Sequence, residues 1–122
     1  MTRGRYLWIG LPVPLVALGL GCGIMPKSFQ GLNNPAAIIR ARAVGLADRM
    51  PDWKVVPALI GRLNDPDPVV RLSAHEELRK KTGKDFGYVP WGDAAERVAA
   101  IERWRTWWNG REAGLAKSGK NP

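Results

Sequence analysis

The segment LNDPDPVVRLSAHEELRKK, from Leu63 to Lys81, decides the fold class of this chain. Two prolines stand two residues apart in it, and the thirteen residues after the second contain neither proline nor glycine. The Asp67 carboxylate can accept hydrogen bonds from the free amides of a helix start. Pro68 can then hold the first helical position, where its missing N–H leaves no hydrogen bond unmade. The pattern therefore predicts a helix that begins at Pro68.

The residues that follow have the periodicity and the end signals of a helix. Basic residues crowd the expected last turn, where cations interact favourably with the helix dipole, and Gly83 suits a left-handed stop. We predict a helix from Pro68 to Lys81, with Arg71 and Glu76 away from its apolar face. The residues of that face recur at helical spacing and are Val70, Ser73, Ala74 and Leu78.

The same pattern occurs 31 residues earlier in the chain. NNPAAIIRARA, Asn33 to Ala43, aligns without a gap on NDPDPVVRLSA, Asn64 to Ala74: Asn, Pro, Arg and Ala coincide, and two isoleucines face two valines. A period in the thirties on helical segments is typical of a solenoid, in which each unit buries its apolar side against the next. The sequence therefore predicts successive units of one helical repeat.

Two further helices are predicted before this one. The first runs from Pro35 to Met50, and the second from Trp53 to Leu63, where Asp52 starts it and Pro57 falls in its first turn. The residues expected to face inward are Ile39, Ala43, Ala47 and Met50 on the first helix and Val56, Leu59, Ile60 and Leu63 on the second.

A last helix is predicted after the loop GKDFGYVPWG. It runs from Ala94 to Trp108, because Asp93 and Glu96 have the spacing of a capping box and Asn109 with Gly110 can end it. No segment alternates convincingly as a strand. The predicted fold class is all-α, with about four antiparallel helices.

The segment VVPALIGRLNDPDPVVRLSAHEEL, Val55 to Leu78, resembles one unit of the HEAT repeat in its phycobilisome-lyase-like form. Asn33 to Met50 resembles the second helix of a preceding unit. The resemblance implies a short HEAT-like α-solenoid with a binding surface, since HEAT arrays are mostly adaptors, and it brings no catalytic residues to this chain. The residues that carry it are Val56-Pro57-Ala58-Leu59, Leu63, Asp65-Pro66, Val70-Arg71, Ala74 and Leu78.

Tryptophan is concentrated toward the C-terminus, where ERWRTWWN holds three of the six. Val98, Ile101, Trp104 and Trp108 share one helix face, which favours a Trp-rich capping helix over the end of a short stack. The alternative is an exposed aromatic surface between basic residues, able to stack on bases, sugars or a proline-rich segment. Its members would be Phe86, Tyr88, Trp91 and Trp107 with Lys84, Arg103 and Arg105.

The N-terminal segment has the layout of a secretory signal. Arg3 and Arg5 precede an uncharged apolar run from Leu7 to Leu20, which is short for a spanning helix of about 20 residues, and glycines surround Cys22. LGLGC resembles the lipobox of bacterial lipoproteins, and this implies lipidation of Cys22 as the mature N-terminus. An uncleaved N-terminal anchor and a chance apolar leader with a free or buried thiol remain alternatives.

These patterns divide the chain into four regions. Residues 1–22 are predicted to be a lipoprotein-type signal peptide or membrane anchor, and residues 23–34, polar from Lys27 onward, a tether. Residues 35–110 are predicted to form the HEAT-like helical domain. Residues 111–122 lack periodicity and are predicted to be a disordered tail.

Composition and motifs argue against catalysis. The chain has 122 residues, a net charge of +8 and a single cysteine, so an internal disulfide is impossible. His75 is the only histidine and is expected to be exposed, and turn and cap duties account for Asp65 and Asp67. We expect no enzyme activity, no metal, no cofactor and no small-molecule substrate.

The expected function is that of an adaptor or scaffold, a protein–protein interaction module held at the bacterial cell envelope on the periplasmic or extracytoplasmic side. Its protein partner is unknown, and its membrane contact is the N-terminal lipid or anchor. The alternative is a binder of anionic polymer, either nucleic acid or an anionic lipid surface, and export makes nucleic acid the weaker of these partners. The candidate docking residues are Arg71, Lys80, Lys81, Lys84, Trp91, Arg103 and Trp107.

Overall fold

The computed structural model describes residues 28–119, and every regular element of this part of the chain is a helix, without strands. The all-α prediction is confirmed. The predicted signal, Cys22 and residues 120–122 lie outside the described residues. The elements are a 3-10 turn Phe29–Asn33, α1 Ala37–Val44, a 3-10 turn Ala47–Arg49, α2 Asp52–Arg62, α3 Pro68–Thr82 and α4 Ala94–Lys117. None of these helices combines the length and the apolar character that crossing a bilayer requires.

Helix α3 begins and ends with the predicted signals. The Asp67 carboxylate accepts hydrogen bonds from the backbone N–H of Val69 at 2.8 Å and of Val70 at 3.3 Å, and Pro68 is the first helical residue. At the other end, Gly83 has a left-handed φ of 68°, and its N–H donates to the Arg79 carbonyl. Local chemistry alone therefore specifies this helix.

Helix α1 is shorter than predicted. It ends at Val44, and after Gly45 the chain forms the separate 3-10 turn Ala47–Arg49, so the prediction of one helix to Met50 is wrong. Glycine is a weak helix former, and the change of direction still buries Ala47 completely. The apolar periodicity of the sequence continues past Gly45, so it does not indicate that the helix ends there.

Helix α2 holds Pro57 deeper than predicted. The helix begins at Asp52, which is its first residue and makes no side-chain cap, so Pro57 is the sixth residue and lies in the second turn. The Trp53 carbonyl therefore lacks the amide partner that a regular helix would give it. Apolar packing keeps the helix together, since Val55, Val56 and Leu59 are fully buried.

Helix α4 is longer than predicted. It has 24 residues and passes through Asn109 and Gly110 to Lys117, so the predicted end is wrong and residues 111–117 of the predicted disordered tail are helical. One glycine in a helix costs only about 1 kcal/mol relative to alanine, and good helix formers follow it. The extension makes little contact with the core, because nearly all of its residues are exposed.

The described part of the predicted tether belongs to the folded body. Phe29–Asn33 form a 3-10 turn that packs on α1, and Leu32 is only 5 % exposed within the hydrophobic core. The tether prediction is therefore wrong from Ser28 to Asn34, while residues 23–27 lie outside the described part. Phe29 also packs against the core from this turn.

The core joins all four helices. Helix α3 contacts α1 and α2, and α2 contacts α4. Trp104 is the largest fully buried side chain, and Trp108 is also buried. Ile101, predicted on the same face, is buried, whereas Val98, also predicted there, is 50 % exposed; Ala100 is buried in addition.

The segment 83–93, called the return loop below, runs back along α3. Near its start, the Asp85 carboxylate lies 3.4 Å from the Arg79 guanidinium. Near its end, the Pro90 carbonyl accepts a hydrogen bond from Arg71, in the first turn of the same helix. Between these points Tyr88 is buried, and its hydroxyl donates to the Leu63 carbonyl. The loop thus covers one side of α3 and brings the chain back to the helix start.

Candidate functional site

Two buried arginines, Arg40 and Arg71, occupy equivalent positions in the two copies of the sequence repeat, and each holds a backbone turn in place. The Arg40 Nη1 donates to the carbonyls of Asn34 and Pro35, both at 2.8 Å. The Arg71 Nη1 donates to the carbonyls of Asp65 and Pro66, at 2.8 and 3.1 Å. Each arginine therefore ties down the turn that precedes its own helix.

The remaining donors of each arginine reach the next turn along the chain. Arg40 makes two hydrogen bonds of 2.8 Å to the Asp65 carboxylate, and Arg71 Nε donates to the Pro90 carbonyl at 2.7 Å. Burial by itself raises the pKa of Asp65, but hydrogen bonds from Arg40 and the Asp67 amide outweigh burial and lower it. A buried ionised pair thus joins the two units.

Arg71 consequently does not belong to a docking surface. The sequence prediction placed it among the candidate contacts, but its side chain is buried and its guanidinium is engaged by three carbonyls. His75 was expected to be exposed and is also buried, at 4 % exposure, with its ring 5.0 Å from that of Tyr88. Both side chains lie under the return loop. The helical periodicity of α3 could not predict their burial, because it does not specify the path of that loop.

Trp91 is the most exposed large apolar residue of the described chain, at 73 %. Its backbone is held on both sides, because the Pro90 carbonyl accepts from Arg71 and the Gly92 carbonyl accepts from Arg97. Val89, two residues away, is also largely exposed. The structure therefore presents an indole to solvent from a fixed backbone.

Trp107 and Arg103 meet elsewhere, around Phe86 on the return loop. Trp107 is half-buried, with its ring centroid 5.8 Å from those of Phe86 and Trp104. Arg103 Nε donates to the Phe86 carbonyl at 3.0 Å, and Arg111 lies 5.8 Å from the Trp107 ring. The rings mostly pack on one another, which limits the face they offer to a ligand.

The predicted lysines occupy the C-terminal end of α3, and two of them are paired. Lys80 binds Asp48 and lowers the pKa of that carboxyl, and the Lys81 ammonium lies 3.5 Å from Asp52. Lys84 is exposed. The seven predicted docking residues thus divide into Lys80, Lys81 and Lys84 at one end of α3, Trp91 near its other end, Arg103 with Trp107 on α4, and buried Arg71.

An open groove of about 740 Å³ lies between the two 3-10 turns and α2, and none of the seven predicted docking residues lines it. The sequence did not predict this groove, because the Phe29–Asn33 turn falls in the segment predicted to be a tether. The spacing of Phe29 and Leu32, one helical turn apart, was the available signal. The apolar residues that line the groove are Phe29, Leu32, Leu46, Met50, Pro57 and Ala58.

Among the described residues, three cations and no carboxylate line this groove. Arg62 is partly engaged, since it donates to the Leu32 carbonyl at 3.0 Å and lies 3.4 Å from Asp65. Arg49 and Lys54 are exposed, and no hydrogen bond or ion pair from the described residues engages their side chains. The groove therefore combines an apolar lining with a positive rim.

Within residues 28–119, no group of three or more His, Cys, Asp or Glu side chains is placed to hold a metal ion. The chain matches no protein-family model, and no curated protein or solved structure matches it either. The geometry described above is therefore the basis for assigning a function.

Proposed function

We propose that this chain is a membrane-tethered, non-enzymatic adaptor of the cell envelope that docks a protein partner through Trp91. The observation that carries the proposal is the 73 % exposure of this indole on a backbone that Arg71 and Arg97 hold from both sides. Tryptophan is enriched among the residues that dominate binding energy at protein interfaces. An indole already fixed in place loses less conformational freedom on binding than a mobile one.

The surroundings of Trp91 favour a protein partner with an apolar pocket. Val89 and Val98 are 41 % and 50 % exposed, on the return loop and on the first turns of α4. Asp93 and Glu96 lie close in sequence and supply a polar border. A central aromatic residue with apolar neighbours and a polar rim has the general composition of an interface core.

The helical body that carries Trp91 is proposed to be a short HEAT-like solenoid of antiparallel helices. In this proposal α1 and α3 are equivalent helices of successive units, and the Arg40 and Arg71 hydrogen bonds, which repeat at the same spacing, support it. The burial of Trp104 and Trp108 supports the further proposal that α4 is a capping helix over the end of the stack.

The tether is proposed from the sequence of residues 1–22. The apolar run Leu7–Leu20 followed by Cys22 resembles a lipoprotein signal, and acyl chains on that cysteine would hold the protein at a bilayer. An uncleaved anchor is the alternative. Intact-mass measurement of the protein extracted from membranes separates the two, since lipidation predicts an acylated chain that begins at Cys22. A full-length chain in the soluble fraction would contradict both.

Photocrosslinking in the producing cell tests the docking proposal. A photoreactive residue replaces exposed Ala95, four positions after Trp91, and a control replaces exposed Glu112 near the end of α4. We expect one discrete protein adduct from position 95, absent from position 112 and lost when Trp91→Ala is added. Identical adducts from both positions, or an adduct that Trp91→Ala leaves unchanged, would contradict the proposal.

A binder of anionic polymer is the second candidate, and Arg49 and Lys54, whose side chains no described residue engages, favour it. Arg40 and Arg71, the cations of α1 and α3 that could have contacted phosphates, are buried and bound to protein oxygens. A nucleic-acid interface along α1 and α3 would therefore lack these two arginines as phosphate contacts. It leaves the groove as the surface on which an anionic partner could bind.

A further inference from the structure

The groove between the two 3-10 turns and α2 extends to the first described residue of the chain. Ser28 lines it, together with Phe29 of the adjacent 3-10 turn. Cys22 is six residues earlier, and six extended residues span at most about 22 Å. A lipid or anchor at Cys22 would therefore keep the groove close to the bilayer surface.

The acidic residues nearest in sequence to Arg49 and Lys54 form ion pairs with lysines of α3. Asp48 precedes Arg49 and binds Lys80 of α3, and Asp52 lies two residues before Lys54 and pairs with Lys81. These ion pairs explain why no carboxylate of the described residues lines the groove, although two aspartates lie close in sequence to its cations. The positive charge of Arg49 and Lys54 is consequently available to an external anion.

We propose that the groove is the face of the protein that lies on an anionic lipid bilayer. Arg49 and Lys54 contact phospholipid headgroups, and the apolar lining around Phe29, Leu46 and Pro57 faces the boundary between headgroups and acyl chains. The proposal rests on the membrane tether proposed above and adds an orientation to it. Trp91 does not line the groove and stays available to a protein partner.

The chemistry of the groove favours a lipid surface over a nucleic acid. An anionic bilayer offers negative charge above an apolar layer, and the groove combines two exposed cations, Arg49 and Lys54, with an apolar lining. A nucleic-acid groove is more typically lined by cations with rings placed for base stacking. Among the lining residues Phe29 is the one aromatic side chain, and it also packs against the core.

The test uses the full chain, extracted from its membrane and reconstituted into vesicles. Gly61 lines the groove, and a Cβ at this position would meet no atom within 4 Å, so Gly61→Cys accepts a fluorophore without disturbing the fold. A matched control is Gly110→Cys on α4, where a Cβ also meets nothing within 4 Å. Doxyl-labelled lipids then report how close each fluorophore lies to the bilayer.

We expect strong quenching at position 61 in vesicles that contain phosphatidylglycerol, and weak quenching in pure phosphatidylcholine vesicles and at position 110. Salt of about 1 M, which shortens the screening length to about 3 Å, should remove the difference between the two lipids. Arg49→Gln or Lys54→Gln should each lower the apparent affinity of the groove for the phosphatidylglycerol bilayer about fivefold, and both together about 25-fold. Lys117→Gln, on the far end of α4, should leave it unchanged.

The possible outcomes separate the two proposals. If the protein does not float with vesicles of either composition, the tether itself fails. If it floats, but position 61 is quenched no more than position 110, the tether stands and the orientation is overturned. If duplex DNA at low salt removes the quenching at position 61 while the protein still floats, the groove prefers nucleic acid and the lipid assignment is overturned.

Discussion

Arg40 and Arg71 lie 31 residues apart, and each clasps the turn before its own helix with the same two hydrogen bonds. In both cases Nη1 donates to the carbonyls six and five residues earlier. The other donors then reach the next turn, at the Asp65 carboxylate from Arg40 and at the Pro90 carbonyl from Arg71. The 31-residue repeat found in the sequence is therefore also a repeat of hydrogen bonds. These bonds connect α1 to the turn before α3, and α3 to the return loop that carries Trp91.

Asp65→Ala should strongly destabilise the fold, because it leaves the Arg40 guanidinium buried without its carboxylate. The Asp65 side chain is fully buried, and removing one partner of a buried pair costs about 3 kcal/mol or more. Urea unfolding of the full chain, followed by tryptophan fluorescence, measures the change. Asp48→Ala, which breaks the exposed pair with Lys80, is the matched control and should lower the free energy of unfolding much less. Equal losses for the two variants would contradict a special role for the buried pair.

Arg71→Lys should loosen the return loop although it keeps the charge. A lysine can replace one hydrogen bond of the guanidinium, but it cannot hold Asp65, Pro66 and Pro90 together. We expect a loss of about 2 kcal/mol in the free energy of unfolding and faster amide exchange in residues 83–93. Lys84→Met, a change of an exposed cation in the same loop, should alter neither measurement. Unchanged exchange in Arg71→Lys would show that the loop is held by other contacts.

His75 should make the fold sensitive to mild acid. Burial lowers its pKa below the 6.5 of a solvated histidine, whereas Asp85 and Glu76 act in the opposite direction and Arg79 adds to the lowering. Its Nε2 has no hydrogen-bond partner in the described structure, and the ring of Tyr88 covers it. The folded state therefore binds a proton less readily than the unfolded chain. The free energy of unfolding should fall as the pH drops below about 6.5, and this group should have no effect well above that pH.

Urea midpoints across this pH range measure the effect. His75→Gln removes the titrating group and should flatten the fall between about pH 7 and pH 5. Glu76→Gln, on the exposed side of the same helix, should retain a clear fall. The lowered pKa of Asp65 adds a separate loss, which begins at about pH 4, where the unfolded chain takes up a proton at this carboxyl and the folded protein does not yet. A midpoint independent of pH above 5 in the unmodified chain would contradict the burial of a neutral His75.

The sequence predicted the parts of the fold that local chemistry determines. Asp67, Pro68 and Gly83 specify the ends of α3 through their own backbone preferences, and the structure has those ends. The inward positions Val56, Leu59, Ile60 and Leu63 of α2 also follow from simple periodicity and are all buried. Information of this kind lies within a few residues of the element it specifies.

The parts that sequence reasoning missed depend on contacts between distant segments. His75 is buried because the return loop comes back over α3, and nothing in the residues around it encodes that path. Arg71 appears as a surface cation in the sequence because its partners, Pro90 among them, are up to 19 residues away. The groove required the Phe29–Asn33 turn to fold onto the body. Trp91 could therefore be chosen from the sequence as a docking residue, but its fixed backbone could not be predicted, and neither could the separate groove.

Gly110→Ala tests the unexpected length of α4. Gly110 lies within the helix, and an added Cβ would meet nothing within 4 Å, so alanine fits without strain. Alanine favours the helix by about 0.8 kcal/mol over glycine, and residues 111–117 should fray less. We expect a stronger helical signal in far-ultraviolet circular dichroism and slower amide exchange after position 110. Gly119→Ala is the control, because Gly119 follows the helix at a φ of 66° that alanine rarely adopts, and it should bring no gain. A helix that ended at Asn109 would show no increase in helicity for Gly110→Ala either, and that result would contradict the extended α4.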